Sequence, residues 1–331
     1  MISKEQLHKA VDKGILQADQ VQPLLAFLQD ANTPGETNQE EPLKFIRSFG
    51  DIFISLGIGI LVFSISMLPL SQYEYLIPIV GFILAAEWLV RVRRLALPGI
   101  AILVSILFLV HKAILFDSEQ SMLLGFGLMS ITSLIFYLRY KMPFSLLPLA
   151  GGIVAIAVTQ IGAELLANPI IFSALGLNVF AFAMWFDIRD TRRQTHLSDS
   201  AFWLHLLAAP LIVHGAMLSM LLGDHSWLQA LDKEFLVVIF FVGFLLLALL
   251  LDRRAMLIST QMYMIYALTQ LVPGQFSSSQ SVMIYILMGL GLFIIFFGTY
   301  WYKSRSIIFG FLAGKAIGQY VPDLRLQDVK K

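Results

Sequence analysis

Residues 198–222 read S-D-S-A-F-W-L-H-L-L-A-A-P-L-I-V-H-G-A-M-L-S-M-L-L. The run exceeds the about 20 apolar residues that a helix needs to cross about 30 Å of hydrocarbon. It therefore predicts a membrane-spanning helix, and it sets the class of the whole chain. A plain anchor has no need of His205, His214 and Pro210, or of the small pair Ala208 and Ala209. If the protein has a working centre, this span is where the sequence places it.

The remaining sequence agrees with that class. Of 331 residues, 58% are hydrophobic and 14% charged, with mean hydropathy +0.78. Soluble domains carry about 25% charged residues. The shortfall is spread over several long apolar runs, the signature of a polytopic membrane protein. A net charge of +1 gives no basic field for nucleic acid. With no cysteine in the chain, disulfides, thiolate catalysis and cysteine-held metal sites are excluded. Residues 1–30 are too polar for a secretory signal, so the first span must itself direct insertion.

Ten candidate spans follow from residue 43 onward: 46–69, 74–92, 95–115, 121–139, 143–165, 169–188, 200–222, 234–252, 255–272 and 281–302. Two are short and one pair is closely joined. The predicted fold is an all-α transmembrane bundle of about ten spans occupying residues 43–305. Basic clusters follow every second span: Arg91, Arg93 and Arg94; Arg139 and Lys141; Arg189, Arg192 and Arg193; Arg253 and Arg254; Lys303 and Arg305. The intervening loops hold Lys112 and Lys233 but are otherwise acidic or neutral. The positive-inside rule then predicts that both termini are cytoplasmic. Trp88, Tyr137, Tyr140, Trp185, Tyr300, Trp301 and Tyr302 lie at the same ends, as an aromatic belt does. The recurring hairpin unit is either an ancient repeat or the minimum length of two spans and two loops.

Ahead of the bundle, Ser3 and Asp19 can cap two short helices, Lys4 to Lys13 and Gln20 to Asp30, with Gly14 as the stop between them. Leu7, Val11, Leu24, Leu25 and Leu28 would face one another. Residues 1–32 thus predict a small cytoplasmic helical hairpin, and residues 33–42 (T-P-G-E-T-N-Q-E-E-P) an acidic linker. Past the last span, residues 306–331 predict an interfacial helix, Ile307 to Tyr320, and a polar tail.

Two stretches carry a resemblance. V-D-K-G-I-L-Q-A-D-Q-V-Q-P-L-L-A-F-L at 11–28 and F-G-D-I-F-I-S-L-G-I-G-I-L-V-F at 49–63 resemble the N-terminal helical pair and glycine-rich first span of an uncharacterised family of bacterial inner-membrane proteins, a domain of unknown function. The chain departs from that family's pattern at Ser66-Met67, where an Asn-Trp pair is expected. The resemblance covers the N-terminal fifth. It implies a bacterial inner membrane and no particular activity.

Inside the spans, His205 lies roughly 9 Å from Asp199 along the helix axis, at about 1.5 Å per residue. His214 lies roughly 13 Å further and on the opposite face, so the two cannot share a metal. Pro210 removes a hydrogen bond from the Leu206 carbonyl, which a neighbour, a water or an ion must then satisfy. These features suit either a proton or ligand site or helix packing. Ser259, Tyr263, Tyr266 and Gln270 form a polar stripe that can line a cavity or bond to the next span. They and Asn178 are the expected partners of His205. Glu87 and Arg91 form an i,i+4 pair near the interface. Asp187, Asp190 and Asp199 among Arg189, Arg192 and Arg193 read as a solvated mixed-charge loop, and Asp252 beside Arg253 as a topology anchor. Gly57 and Gly59, Gly151 and Gly152, and Gly289 and Gly291 permit close helix contact.

No P-loop, zincin or nucleophile-elbow motif is present. The expectation is a non-enzymatic protein without cofactor or metal, whose partners are the bilayer and either a small solute or another protein. Two function classes follow: a secondary transporter, or a sensor, scaffold or assembly factor acting through the N-terminal hairpin. A polar cavity near the midplane favours the first, and a dry, packed bundle the second.

Overall fold

The structure, a computed structural model, describes residues 48–114, 119–191, 195–222, 233–271 and 279–315, with 7, 11, 13, 14, 16–24, 193, 318 and 320–322. The linker at 33–42, Leu25, Leu28, Arg192, the Gln270 side chain and the tail from 323 lie outside the described residues. Contacts divide the chain into two units, Met1–Leu43 with Leu326–Lys331, and Lys44–Arg325. In the first unit Leu7 and Val21 are buried. Gly14 takes φ 67 and its N–H bonds to the Val11 carbonyl, the predicted stop. Asp19 is not a cap. It sits inside a 3-10 turn, Ala18–Gln20, where Gln17 N–H donates to Gln20 Oε1 at 3.1 Å.

The second unit is a helical bundle, and its apolar runs dictate it. In hydrocarbon only a helix or closed barrel satisfies every backbone group internally. Ten helices occupy the predicted spans: α1 Phe49–Ser66, α2 Leu76–Ala86, α3 Ala96–Ala113, α4 Glu119–Tyr140, α5 Leu146–Gln160, α6 Ile170–Arg189, α7 His196–Leu222, α8 Lys233–Leu251, α9 Ile258–Leu271 and α10 Ser279–Phe309. A π-helix, Glu87–Val92, continues α2, and a single helical turn, Ala163–Leu166, follows α5. Eight of these segments are long and apolar enough to cross a membrane. The other two are the shorter apolar stretch Phe235–Leu251 of α8 and α9, which has 14 residues.

The predicted interfacial helix is corrected. Its first residues belong to α10, which bends at Tyr300 (φ −104, ψ 19) and runs to Phe309. A 3-10 turn, Gly310–Leu312, and a left-handed Gly314 (φ 88) then end it.

α7 is the hub. Half of its span is buried, the largest share among the eight long apolar spans. It packs most heavily on α6 and also meets α5, α8 and α9. The α6–α7 seam is close because two positions lack side chains: a Cβ on Gly176 would lie 2.8 Å from the Ile212 backbone nitrogen, and one on Gly215 would overlap Ser173. Ser173 Oγ donates to the Ile212 carbonyl at 2.8 Å across this seam. Of the glycines expected to allow close contact, Gly152 alone does so, against Ser130 and the Phe126 carbonyl. Gly57, Gly59, Gly151, Gly289 and Gly291 have nothing within 4 Å.

Four connections repeat one backbone device. Arg94 (φ 54), Lys141 (φ 53), Arg193 (φ 52) and Asp252 (φ 56) are left-handed without being glycine, and all follow even-numbered helices. After α4, the Lys141 N–H bonds to the Tyr137 carbonyl at 2.8 Å, the αL motif. After α8, Asp252 N–H reaches Leu249 O and Arg253 N–H reaches Ala248 O at 2.9 Å, a Schellman closure. These turns aim the next residues back toward the bundle, and that places the buried cluster described next.

Candidate functional site

The end of the bundle that carries the basic clusters is not a solvated loop. Asp187, Asp190, Asp252, Arg253 and Arg305 are each at most 7% exposed, and His205 is fully buried. Asp187 closes α6 and sits at the centre. Its Oδ2 faces His205 Nε2 of α7 at 2.8 Å and accepts from Arg253 Nε at 3.3 Å. Arg253 Nη2 donates to Asp187 Oδ1, completing a two-point fork. The same Nη2 reaches the Ser198 carbonyl at 3.1 Å and Ser198 Oγ at 3.3 Å. One guanidinium thus ties the α8–α9 connection to the end of α6 and the start of α7.

A second node lies on the end of α8. Asp252 Oδ1 accepts from Trp301 Nε1 of α10 at 2.6 Å, and Oδ2 pairs with Arg193 at 3.0 Å. Arg193 also donates to the carbonyls of Leu251 at 3.1 Å and Asp252 at 2.7 Å. Arg305 of α10 donates to Leu249 O at 2.8 Å, Leu250 O at 3.1 Å and Pro322 O at 2.7 Å. Two cations therefore occupy the last carbonyls of α8, where the helix dipole is negative. Asp190 accepts from the Thr195 N–H and hydroxyl at 2.8 and 2.7 Å and so holds the α6–α7 turn.

His205 faces the interior and bonds to another helix, as the sequence predicts. The partner is Asp187, not Asn178 or the stripe on α9. Because Asp187 Oδ2 is the acceptor, Nε2 carries the hydrogen, and Nδ1 has no partner among the described residues. Phe180 meets the imidazole edge-on at 5.2 Å between centroids. His214 lies on the other face of α7, exposed, with Nδ1 2.6 Å from the Tyr263 hydroxyl. The stripe thus contributes Tyr263 to His214. Ser259 is half-buried and Tyr266 exposed, and neither joins a histidine. Asn178 is exposed and donates to Ala174 O of its own helix. Pro210 lies inside a continuous α7.

Between α7, α8 and α9 a narrow space is lined by apolar side chains with Thr260 and Tyr263, and it has no room for a water molecule. Among the described residues no three metal-ligating side chains come together.

A second contact that the sequence did not signal lies at the ends of α2 and α4. Glu87 pairs with Arg91 at 3.1 Å as expected. It also accepts from Arg139 Nε at 2.9 Å and Nη2 at 3.0 Å and from the Tyr140 hydroxyl at 3.0 Å. This clip joins α2 to α4.

No protein-family model, curated protein or solved structure matches the chain. Its class follows from the fold and the site: an integral membrane protein built as an all-helical polytopic bundle, clasped at one end by buried ion pairs.

Proposed function

We propose that the chain is a non-enzymatic scaffold or assembly factor of a bacterial inner membrane, related to the uncharacterised family that its N-terminal fifth resembles. In this reading both termini are cytoplasmic and the N-terminal hairpin engages a protein partner. The observation that carries it is the Asp187–Arg253–His205 clasp. The buried carboxylate of the hub seam is taken up by contacts between helices, and the described space beside α7 is apolar and dry. Such contacts lock helices together.

The carrier reading rests on a different observation, the bare Nδ1 of fully buried His205. One pair of measurements separates the two. Crosslinking in living cells should capture the same partner with the intact chain and lose it when residues 1–40 are deleted. Proteoliposomes of the intact chain should show no proton flux under an imposed pH gradient. Flux that His205→Ala abolishes would establish the carrier instead.

A further inference from the structure

Charges at the basic end are sorted. The described carboxylates there are buried, half-buried or paired: Asp187, Asp190 and Asp252 in the cluster, Asp51 buried at the start of α1, Asp199 half-buried at the start of α7, and Glu87 between Arg91 and Arg139. Arg193, Arg253 and Arg305 go inward with them. Apart from Arg91 and Arg139, which share Glu87, six outward cations meet no counter-charge among the described residues. The side chains of Arg93, Arg94, Lys141, Arg189, Lys303 and Lys315 are exposed and make no hydrogen bond or ion pair with any described residue.

Four of these cations lie over an aromatic face on their own stretch of chain: Arg93 over Trp88 at 5.4 Å, Lys141 over Tyr137 at 5.8 Å, Arg189 over Trp185 at 3.7 Å and Lys315 over Phe311 at 5.1 Å. The rings of Trp88, Trp185 and Phe311 are themselves exposed. Below them the same faces continue as exposed aliphatic or aromatic surface, with Leu84 under Trp88, Phe182 beside Trp185 and Ile307 under Phe311.

From this arrangement we infer that the basic end is a binding surface for anionic phospholipid, each ring–cation pair receiving one headgroup. A phosphodiester accepts hydrogen bonds from the cation. The ring, amphipathic and polarised, sits at the glycerol level. The apolar face beneath takes the acyl chains. An acidic protein or free phosphate would meet the cations and leave the contiguous apolar face unused. The stacking also holds each cation in place, so less side-chain freedom is lost when the headgroup binds. The inference rests on membrane placement and is independent of the scaffold reading.

The test uses the full chain in nanodiscs of phosphatidylcholine alone or with a third phosphatidylglycerol. Melting is followed by tryptophan fluorescence, and retained lipids are counted by native mass spectrometry. The wild type should melt higher in the anionic discs and keep phosphatidylglycerol preferentially, with the preference shrinking as salt is raised. Each removed cation should weaken retention roughly fivefold. The combined variant Arg93→Gln, Lys141→Gln, Arg189→Gln and Lys315→Gln should melt like wild type in phosphatidylcholine and lose the anionic increment. Should it fail to insert, the salt dependence of the wild type and the single Arg189→Gln change carry the test. Equal retention of both lipids, or a combined variant that keeps the preference, overturns the inference. Displacement of the lipid by inorganic phosphate at matched ionic strength would make this an anion site and overturn it too.

Discussion

Asp187 and Arg253 show what a buried charge does in a membrane protein at the scale of one residue. Taking the pair out of water is costly, and replacing both by apolar groups of similar volume is often neutral. Removing one partner strands the other charge. Asp187→Ala or Arg253→Ala should each destabilise the bundle by about 3–5 kcal/mol, while Asp187→Leu with Arg253→Met should recover most of that. Unfolding of the detergent-solubilised protein followed by circular dichroism measures this. A double variant no better than the singles would show that the clasp does more than balance charge. His205 offers a finer test. Glutamine can place an N–H where Nε2 lies, and leucine cannot. His205→Gln should stay near wild type and His205→Leu should lose about 1–3 kcal/mol. Equal losses would mean that the ring, not the hydrogen bond, matters.

Helices and turns show why part of this was readable and part was not. That His205 points inward was legible, because a polar ring in a span finds no partner in lipid. Its partner was not, because Asp187 sits among alternating charges that look like a solvent-exposed turn. Spacing signals only a different neighbour: with the turn at 190–195, residue 187 mirrors residue 198, whose carbonyl joins the same guanidinium, and not residue 205. Arg253 had no such signal, being 66 residues from Asp187. The glycines misled in the same way. Pairs inside apolar runs look alike whether they face lipid or a helix, and the decisive Gly176 and Gly215 stand alone in sequence. Gly215→Ala should therefore cost about 1–3 kcal/mol by overpacking, whereas Gly57→Ala, with nothing near it, should not destabilise. Melting of the two variants side by side decides this, and equal behaviour would contradict the seam. The left-handed turns make a second element-scale prediction. Lys141→Gly should be more stable than Lys141→Ala by about 1–2 kcal/mol, because both lose the cation and only glycine escapes the αL penalty. An alanine variant as stable as the glycine one would place Lys141 outside the left-handed region.

At the scale of the whole molecule, span number and orientation follow from one alternation. Ten helices were foreseeable because each apolar run must become a helix, and the basic clusters recur after every second one. The α9 helix keeps this alternation, because it starts from the turn after α8. The clasp now adds an independent reason for the same order. Arg253 can reach Asp187 and Trp301 can reach Asp252 only if the ends of α6, α8 and the bend of α10 share one side of the bundle. Arg139 on Glu87 says the same of α2 and α4. Orientation follows if that side faces the cytoplasm. The chain has no cysteine, so single cysteines report without background. Cysteines at residue 1, Arg94, Lys141 and residue 331 should resist a membrane-impermeant maleimide in intact cells and react after permeabilisation, and one at residue 117 should do the reverse. Labelling of Lys141→Cys from outside would invert the topology. Opposite behaviour at Arg94 and Lys141 would break the shared side of α2 and α4, and with it the Glu87–Arg139 contact and the lipid-binding surface.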